Sequence, residues 1–215
     1  MPRYGVGEEI ANALTHGVGA VLAVSALVLM TVYSGLYGDA WHVVSSSVFG
    51  ATLVLLYLAS TLYHAVTAPR AKRLLRLLDH GAIFLLIAGT YTPFTLVSLR
   101  GPWGWSLFGV VWGLALVGVF FQAGLLRRWE FLRVGLYVAM GWVVVIAIKP
   151  LIASMELGGL LLLLGGGLAY TLGIVFYAWE RLPFSHAVWH VFVLAGSCLH
   201  FFSVFFYVIP PAVGR

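Results

Sequence analysis

Five polar residues have types and spacings that suggest metal-dependent chemistry. Ser60 and His64 are four residues apart, and His186 and His190 have the same spacing. Residues four apart share one face of an α-helix, so two such histidines present their imidazoles together, as in zinc-binding His-x-x-x-His motifs. Three histidines and a water form the open arrangement typical of catalytic zinc. We therefore predict a zinc site with His64, His186 and His190 as ligands and Asp79 beside it.

Asp79 and Ser60 are the candidates for chemistry around such an ion. An aspartate beside a metal-bound water accepts its hydrogen bond or orients a ligand, and as a general base it takes the water's proton. Ser60 precedes His64 by one helical turn and is placed for similar orienting work. We predict Asp79 and Ser60 as the catalytic residues and zinc as the cofactor.

The elements that must position these residues are membrane-spanning helices. Of the 215 residues, 62% are hydrophobic and 9% are charged, and the mean hydropathy is +1.02. Soluble domains carry about 25% charged residues, so this composition excludes a soluble globule. Seven apolar runs have lengths of about 17–25 residues, enough to cross a bilayer. The runs lie at residues 15–36, 43–64, 77–99, 103–125, 132–148, 157–177 and 188–209.

The short connections between these runs predict antiparallel neighbours packed into one bundle. We expect an all-α membrane protein in which residues 1–215 form a single seven-helix domain. The single cysteine, Cys198, excludes an intramolecular disulfide and a thiolate-rich metal cluster. The formal net charge of +5 does not indicate nucleic-acid binding, because basic residues in membrane proteins mostly fix orientation.

Lysine and arginine are distributed unequally between the two ends of the predicted bundle. Three lie on the side of the first, third and fifth loops and the C-terminus, namely Arg100, Lys149 and Arg215. The nine on the side of the N-terminus are Arg3, Arg70, Lys72, Arg73, Arg76, Arg127, Arg128, Arg133 and Arg181. The positive-inside rule then predicts a cytoplasmic N-terminus and an outside C-terminus. We expect a multi-pass protein of the plasma (inner) membrane.

This orientation brings the candidate site residues to one membrane level. His64 ends the second span, Asp79 begins the third, and His186 and His190 begin the seventh, all in the cytoplasmic leaflet. Titratable groups in a bilayer are costly and usually face the bundle interior, where they mark functional sites. The convergence of these four residues is the strongest functional signal in the sequence.

The other histidines fit this site less well. His80 points about 100° away from the preceding aspartate on a helix, so it is a second choice as ligand. His200 lies about 15 Å along the seventh span from the His-x-x-x-His pair, too deep to join it. We interpret His16 and His42 as interfacial residues near span ends.

Four segments resemble the bacterial hemolysin III family, which is grouped with the progestin and adipoQ receptors and, more distantly, with the alkaline ceramidases. The segments are EEIANALTHG at 8–17, STLYH at 60–64, LDHGAIF at 78–84 and HAVWH at 186–190. The combination of Ser-x-x-x-His, a following Asp and a distal His-x-x-x-His is specific to this family. The resemblance extends from Glu8 to about Phe205.

The resemblance implies a seven-helix bundle with a cytoplasmic N-terminus and a zinc ion near the cytoplasmic leaflet. By motif, it implies that His64, His186 and His190 are the zinc ligands. It also implies that Asp79 contacts the zinc-bound water, and it matches Ser60 to the family's serine. Asn12 and His16 belong to the family's N-terminal motif, for which the resemblance implies no role.

Three functions are consistent with these residues. The first is a ceramidase-like intramembrane hydrolase that cleaves the amide or ester bond of a membrane lipid with a zinc-activated water. The second is a non-enzymatic cytolytic or membrane-homeostasis protein with a structural or sensing zinc. The third is a His/Asp proton relay, which needs ionisable groups across the whole membrane, whereas only His200 lies deep in a span. The oligomeric state is left open.

Overall fold

Seven long helices in the computed structural model are apolar enough to cross a membrane. The structure describes residues 4–210 except Ala123, residues 125–128 and Glu180. The helices are α1 Val6–Tyr37, α2 Ala40–Ala65, α3 Pro69–Ser98, α4 Pro102–Gln122, α5 Glu130–Ser154, α6 Leu157–Ala178 and α7 Ser185–Tyr207. No strand occurs among the described residues. The prediction of an all-α, seven-span membrane protein is confirmed.

The helices pack mainly against their neighbours in the chain. α1 packs on α2, α2 on α3, α3 on α4, and α6 on α7, while α5 contacts α3, α4 and α6. α1 also packs against α7, so the first and last helices are adjacent. This contact brings the first turns of α1 and α7 together at the end of α2.

α1 begins well before the predicted start at residue 15, and this corrects the first span. Gly5 is the N-cap, and its backbone N–H donates to Oε2 of Glu8 at 2.9 Å. A glutamate at this position and acidic residues in the first turn favour a helix start, because they satisfy and neutralise the free N–H groups. The polar turn from Glu8 to Asn12 is therefore helical, although its hydropathy resembles that of a loop.

α3 and α5 also extend well beyond their apolar runs. α3 begins at Pro69, before the predicted residue 77, because proline fits the first position of a helix, where an N–H is not needed. α5 extends over Glu130–Ser154 instead of 132–148. The predicted end of the fourth span at residue 125 lies outside the described residues, and α4 ends at Gln122.

The middle of α5 narrows to a 3₁₀ segment at Val143–Ala147, which a tyrosine of α3 stabilises. The hydroxyl of Tyr91 donates to the carbonyl of Gly141 at 2.8 Å and accepts the N–H of Val144 at 3.0 Å. A change of helical geometry frees backbone groups that must be satisfied in lipid. Tyr91 thus holds α5 against α3 at this irregular turn.

Asp39 caps α2 in the connection from α1, at the end of the bundle away from the N-terminus. Its Oδ1 accepts the N–H groups of Trp41 and His42 at 2.9 and 3.1 Å. The His42 ring nitrogen Nδ1 lies 2.7 Å from the same oxygen, and this side-chain hydrogen bond lowers the pKa of the Asp39 carboxyl. His42 therefore lies at a helix end, as interpreted from the sequence.

The charge imbalance that predicted the orientation rests partly on residues outside the described part of the chain. Arg3, Arg127, Arg128 and Arg215 lie there. The orientation of the bundle in the membrane and the assignment of the chain to a single domain stay predictions.

Candidate metal centre

The three predicted ligands meet at one end of the bundle. His64 lies in the last turn of α2, and His186 and His190 lie in the first two turns of α7. Each offers one ring nitrogen, and these nitrogens all lie within 4.8 Å of one another. Ligand nitrogens about 2.0–2.1 Å from a tetrahedral ion are about 3.3 Å apart, so small side-chain movements would let one ion contact all three. The group could hold a metal ion.

The hydrogen bonds of the imidazoles leave their other nitrogens without partners. Nδ1 of His64 lies 2.7 Å from Oε2 of Glu9. Nδ1 of His190 lies 3.2 Å from the carbonyl oxygen of Asn12 and 3.1 Å from the hydroxyl of Thr15. Nε2 of both histidines is buried with no hydrogen-bond partner among the described residues. Metal-bound histidines typically donate one N–H to a carboxylate or carbonyl and bind the ion through the other nitrogen, so this pattern fits a metal.

Aromatic rings surround the third histidine. The His186 ring lies 4.5 Å from the His190 ring and 5.2 Å from the His64 ring, between centroids. Tyr4 and Trp189 pack against it at 4.9 and 5.0 Å. Rings packed around a site limit its contact with bulk water, which strengthens the electrostatic interactions within it.

Asp79 lines a cavity with His186, and Ser60 lies one helical turn before His64 on α2. Asp79 of α3 is buried, its Oδ2 is 3.2 Å from Nδ1 of His80, and it lines a small cavity together with His186. Ser60 of α2 is also buried, and its hydroxyl has no hydrogen-bond partner among the described residues. Their catalytic roles stay predictions.

The interpretation of His16 as an interfacial residue is wrong. Its side chain is only 1% exposed and stacks on His190 with centroids 3.4 Å apart and planes 10° apart. Its edge contacts Tyr57 of α2 at 5.0 Å. The error follows from placing the start of the first span at Thr15, because the earlier start of α1 puts His16 inside the bundle.

Sequence reasoning also missed the residues of α1 that contact the ligands. Glu9, Asn12 and His16 are three and four residues apart, so they share one face of α1. Oε1 of Glu9 also pairs with Nζ of Lys72 at 2.9 Å, and that lysine donates to the carbonyl of Tyr63 at 3.0 Å. The spacing of three and four residues between these polar side chains was the signal in the sequence that could have identified them.

His200 lies deeper in the bundle, as predicted from its position. Its Nε2–H donates to the carbonyl of Leu163 at 3.0 Å. The ring packs so closely on α6 that a Cβ at Gly166 would lie 2.3 Å from it. Glycine at this position allows the two helices to approach.

An apolar cavity lies next to the three histidines, on the side of His16 and Asp79. It measures about 140 Å³ and is lined by His16 and Asp79 at one end and by Tyr91, Trp142 and His200 farther along. A second apolar cavity of about 320 Å³ shares Tyr91, Trp142 and His200. The two cavities share lining residues, and their apolar lining suits a hydrocarbon chain.

Comparison with known proteins places the chain in a family. The model of the family described as Haemolysin-III related matches residues 4–201. The chain belongs to this family. The matched region contains α1 to α6 and all three histidines of α7, and the resemblance to hemolysin III found in the sequence motifs is confirmed.

Relatives of this haemolysin-III-related chain match it over nearly its full length. Hemolysin-3 of Bacillus cereus is 49% identical over 207 residues, covering 96% of this chain and 94% of that protein. The Hemolysin-3 homolog of Bacillus subtilis (strain 168) is 47% identical over 206 residues, with 96% and 97% covered. The Monocyte to macrophage differentiation factor of Homo sapiens is 27% identical over 207 residues, with 94% and 84% covered. The family and the seven apolar helices together identify an integral membrane protein.

Proposed function

We propose that this haemolysin-III-related protein binds zinc through His64, His186 and His190 and hydrolyses the amide or ester bond of a membrane lipid. The observation that carries the zinc assignment is the pair of buried, unpartnered Nε2 atoms on His64 and His190. A buried polar atom without a partner costs about 1–3 kcal/mol, and coordination would remove this cost. The all-histidine donor set suits zinc.

The site residues then have distinct tasks in hydrolysis. Zinc held by His64, His186 and His190 would supply Lewis acidity towards the substrate carbonyl and would lower the pKa of a water to about 7. Asp79 accepts the proton of the attacking water at a carboxylate oxygen and passes it to the leaving amine or alcohol. The hydroxyl of Ser60, which is buried without a partner among the described residues, orients the water. Burial of the cluster limits access by bulk water.

The cavities support a lipid as the substrate. The apolar cavity begins at Asp79 and His16, next to the histidine cluster, and continues past Tyr91 to His200. An acyl chain in this space would place its carbonyl end at the histidines. We further propose that this end of the bundle faces the cytoplasm and that the protein resides in the plasma membrane, because the basic residues favour that orientation.

Metal content and lipid hydrolysis together test the proposal. Purified full-length protein should contain about one zinc per chain, and His190→Ala should lose most of it. His42→Ala, at the other end of the bundle, is the matched control and should retain it. Hydrolysis should be measured on a panel of ceramides, other lipid amides and lipid esters. Absence of zinc would refute the metal assignment, and full zinc without hydrolysis of any lipid would refute the enzymatic one.

A cytolytic function is the second candidate, and the name Hemolysin-3 of the relatives favours it. Zinc would then be structural or sensing. Leakage of liposomes that persists in the His186→Ala variant would favour this function, because pore formation would not need the complete ligand set. The proton relay gains no comparable support, since the cavity between His16 and His200 has a mostly apolar lining.

A further inference from the structure

We propose that Glu9 is a positioning residue of the metal centre, which fixes the orientation and tautomer of His64 and strengthens metal binding. This inference rests on the proposed zinc site and adds a residue that the proposed ligand set does not include. Oε2 of Glu9 lies 2.7 Å from Nδ1 of His64, and the His64 side chain is fully buried.

Lys72 holds the other oxygen of the same carboxylate. Its Nζ lies 2.9 Å from Oε1 of Glu9 and also donates to the carbonyl of Tyr63 at 3.0 Å, with the cation 5.0 Å from the Tyr63 ring. Three helices are thereby joined, since Glu9 belongs to α1, Lys72 to α3, and the histidine to α2. The lysine pairs with the ionised carboxylate and fixes its position, which keeps the other oxygen in contact with the imidazole.

The contact determines which nitrogen of His64 faces the other ligands. An ionised carboxylate accepts hydrogen bonds only, so Nδ1 of His64 carries the proton and Nε2 keeps its lone pair. Nε2 is the nitrogen that is buried without a partner. A carboxylate that accepts the Nδ1 proton also makes the imidazole a stronger donor to a metal. Glu9 therefore prepares His64 for metal binding before the ion arrives.

α1 holds the ligand His190 in the same way as it holds His64. Nδ1 of His190 contacts the carbonyl of Asn12 and the hydroxyl of Thr15, one turn and two turns after Glu9 on α1. The first turns of α1 thus hold two of the three ligands by their Nδ1 atoms. The carbonyl of Asn12 and the hydroxyl of Thr15 are neutral, whereas the side chain of Glu9 is charged.

Glu8 provides a matched control. It has the same charge and the same helix, but its Oε1 accepts the N–H of Phe184 at 3.1 Å and its Oε2 accepts that of Gly5 at 2.9 Å. Its carboxylate therefore anchors the start of α1 through main-chain groups. Glu8→Gln removes the same charge as Glu9→Gln and keeps an oxygen that accepts a main-chain N–H, without removing the hydrogen bond to His64.

The experiment measures Zn²⁺ affinity by chelator competition in purified full-length wild type, Glu9→Ala, Glu9→Gln and Glu8→Gln. Outer partners of metal ligands typically contribute about 10–100-fold to affinity, and we expect a loss of that size in Glu9→Ala. Glu9→Gln should fall between wild type and Glu9→Ala, because the amide oxygen still accepts the Nδ1 proton but the charge is gone. Glu8→Gln should bind as wild type does. If Glu9→Ala does not fold, the comparison of Glu9→Gln with Glu8→Gln carries the test.

Nitrogen NMR of His64 in metal-free, histidine-labelled protein supplies a second measurement. The Nδ1–H tautomer should predominate in wild type and in Glu8→Gln, and a mixture of tautomers should replace it in Glu9→Ala. Wild-type affinity and tautomer in both Glu9 variants would overturn the inference. A wild type that binds no zinc but shows the Nδ1–H tautomer would refute the proposed metal site while supporting the contact of Glu9 with His64.

Discussion

Removal of the metal should lower the melting temperature of the wild type. A variant that lacks His190 should not respond to the metal. Metal-free protein leaves Nε2 of His64 and of His190 buried without partners, each at a cost of about 1–3 kcal/mol. A bound metal at 100 times its dissociation constant stabilises the fold by about 2.7 kcal/mol. For a chain of this size, 1 kcal/mol shifts the melting temperature by about 2–4 °C. Chelation should therefore lower the melting temperature by about 5–11 °C.

Thermal unfolding in detergent, followed by intrinsic tryptophan fluorescence, measures this shift with and without added Zn²⁺. His190→Ala should melt at the same temperature in both conditions, because it lacks one ligand and one of the unpartnered nitrogens. His42→Ala should show the wild-type shift, since His42 lies at the other end of the bundle. A wild type indifferent to the metal, or a His190→Ala variant with the full wild-type shift, would contradict the reasoning.

Three other substitutions test separate parts of the structure. Asp79→Asn should retain zinc at high metal concentration and abolish lipid hydrolysis, and an unchanged hydrolysis rate would mean that Asp79 is not the base. Asp39→Ala should lower the free energy of unfolding by about 1 kcal/mol at neutral pH through loss of the N-cap. The pKa of the Asp39 carboxyl is lowered in the folded state, so its ionised form stabilises the fold above the ordinary aspartate pKa of about 3.9. This stabilisation is lost as the pH falls through the lowered pKa. Melting curves at neutral and acidic pH should therefore show a smaller deficit of the variant in acid. Gly166→Ala should destabilise by about 1–3 kcal/mol, because its Cβ would lie 2.3 Å from the His200 ring, whereas Gly165→Ala, with an ordinary 3.5 Å contact, should melt close to wild type.

Hydropathy and helical periodicity in the sequence determined the spans and the three-histidine group. Long apolar runs are stable only across a bilayer, so composition alone predicts the seven helices. Helical geometry places His186 and His190 on one face, and alternation of the spans brings them to the level of His64. These inferences depend only on local spacing and on the order of the helices along the chain. Both can be read from the sequence.

Tertiary structure decided the surroundings of the site. Glu9 and His64 are 55 residues apart in the chain, and their contact exists because α1 docks against α2 and α7. Hydropathy left the first turns of α1 outside the first span, since a polar turn that satisfies buried histidines has the same composition as one exposed to water. The burial of His16 and the cavity that leads to His200 likewise depend on packing between helices distant in sequence, which local pattern does not contain.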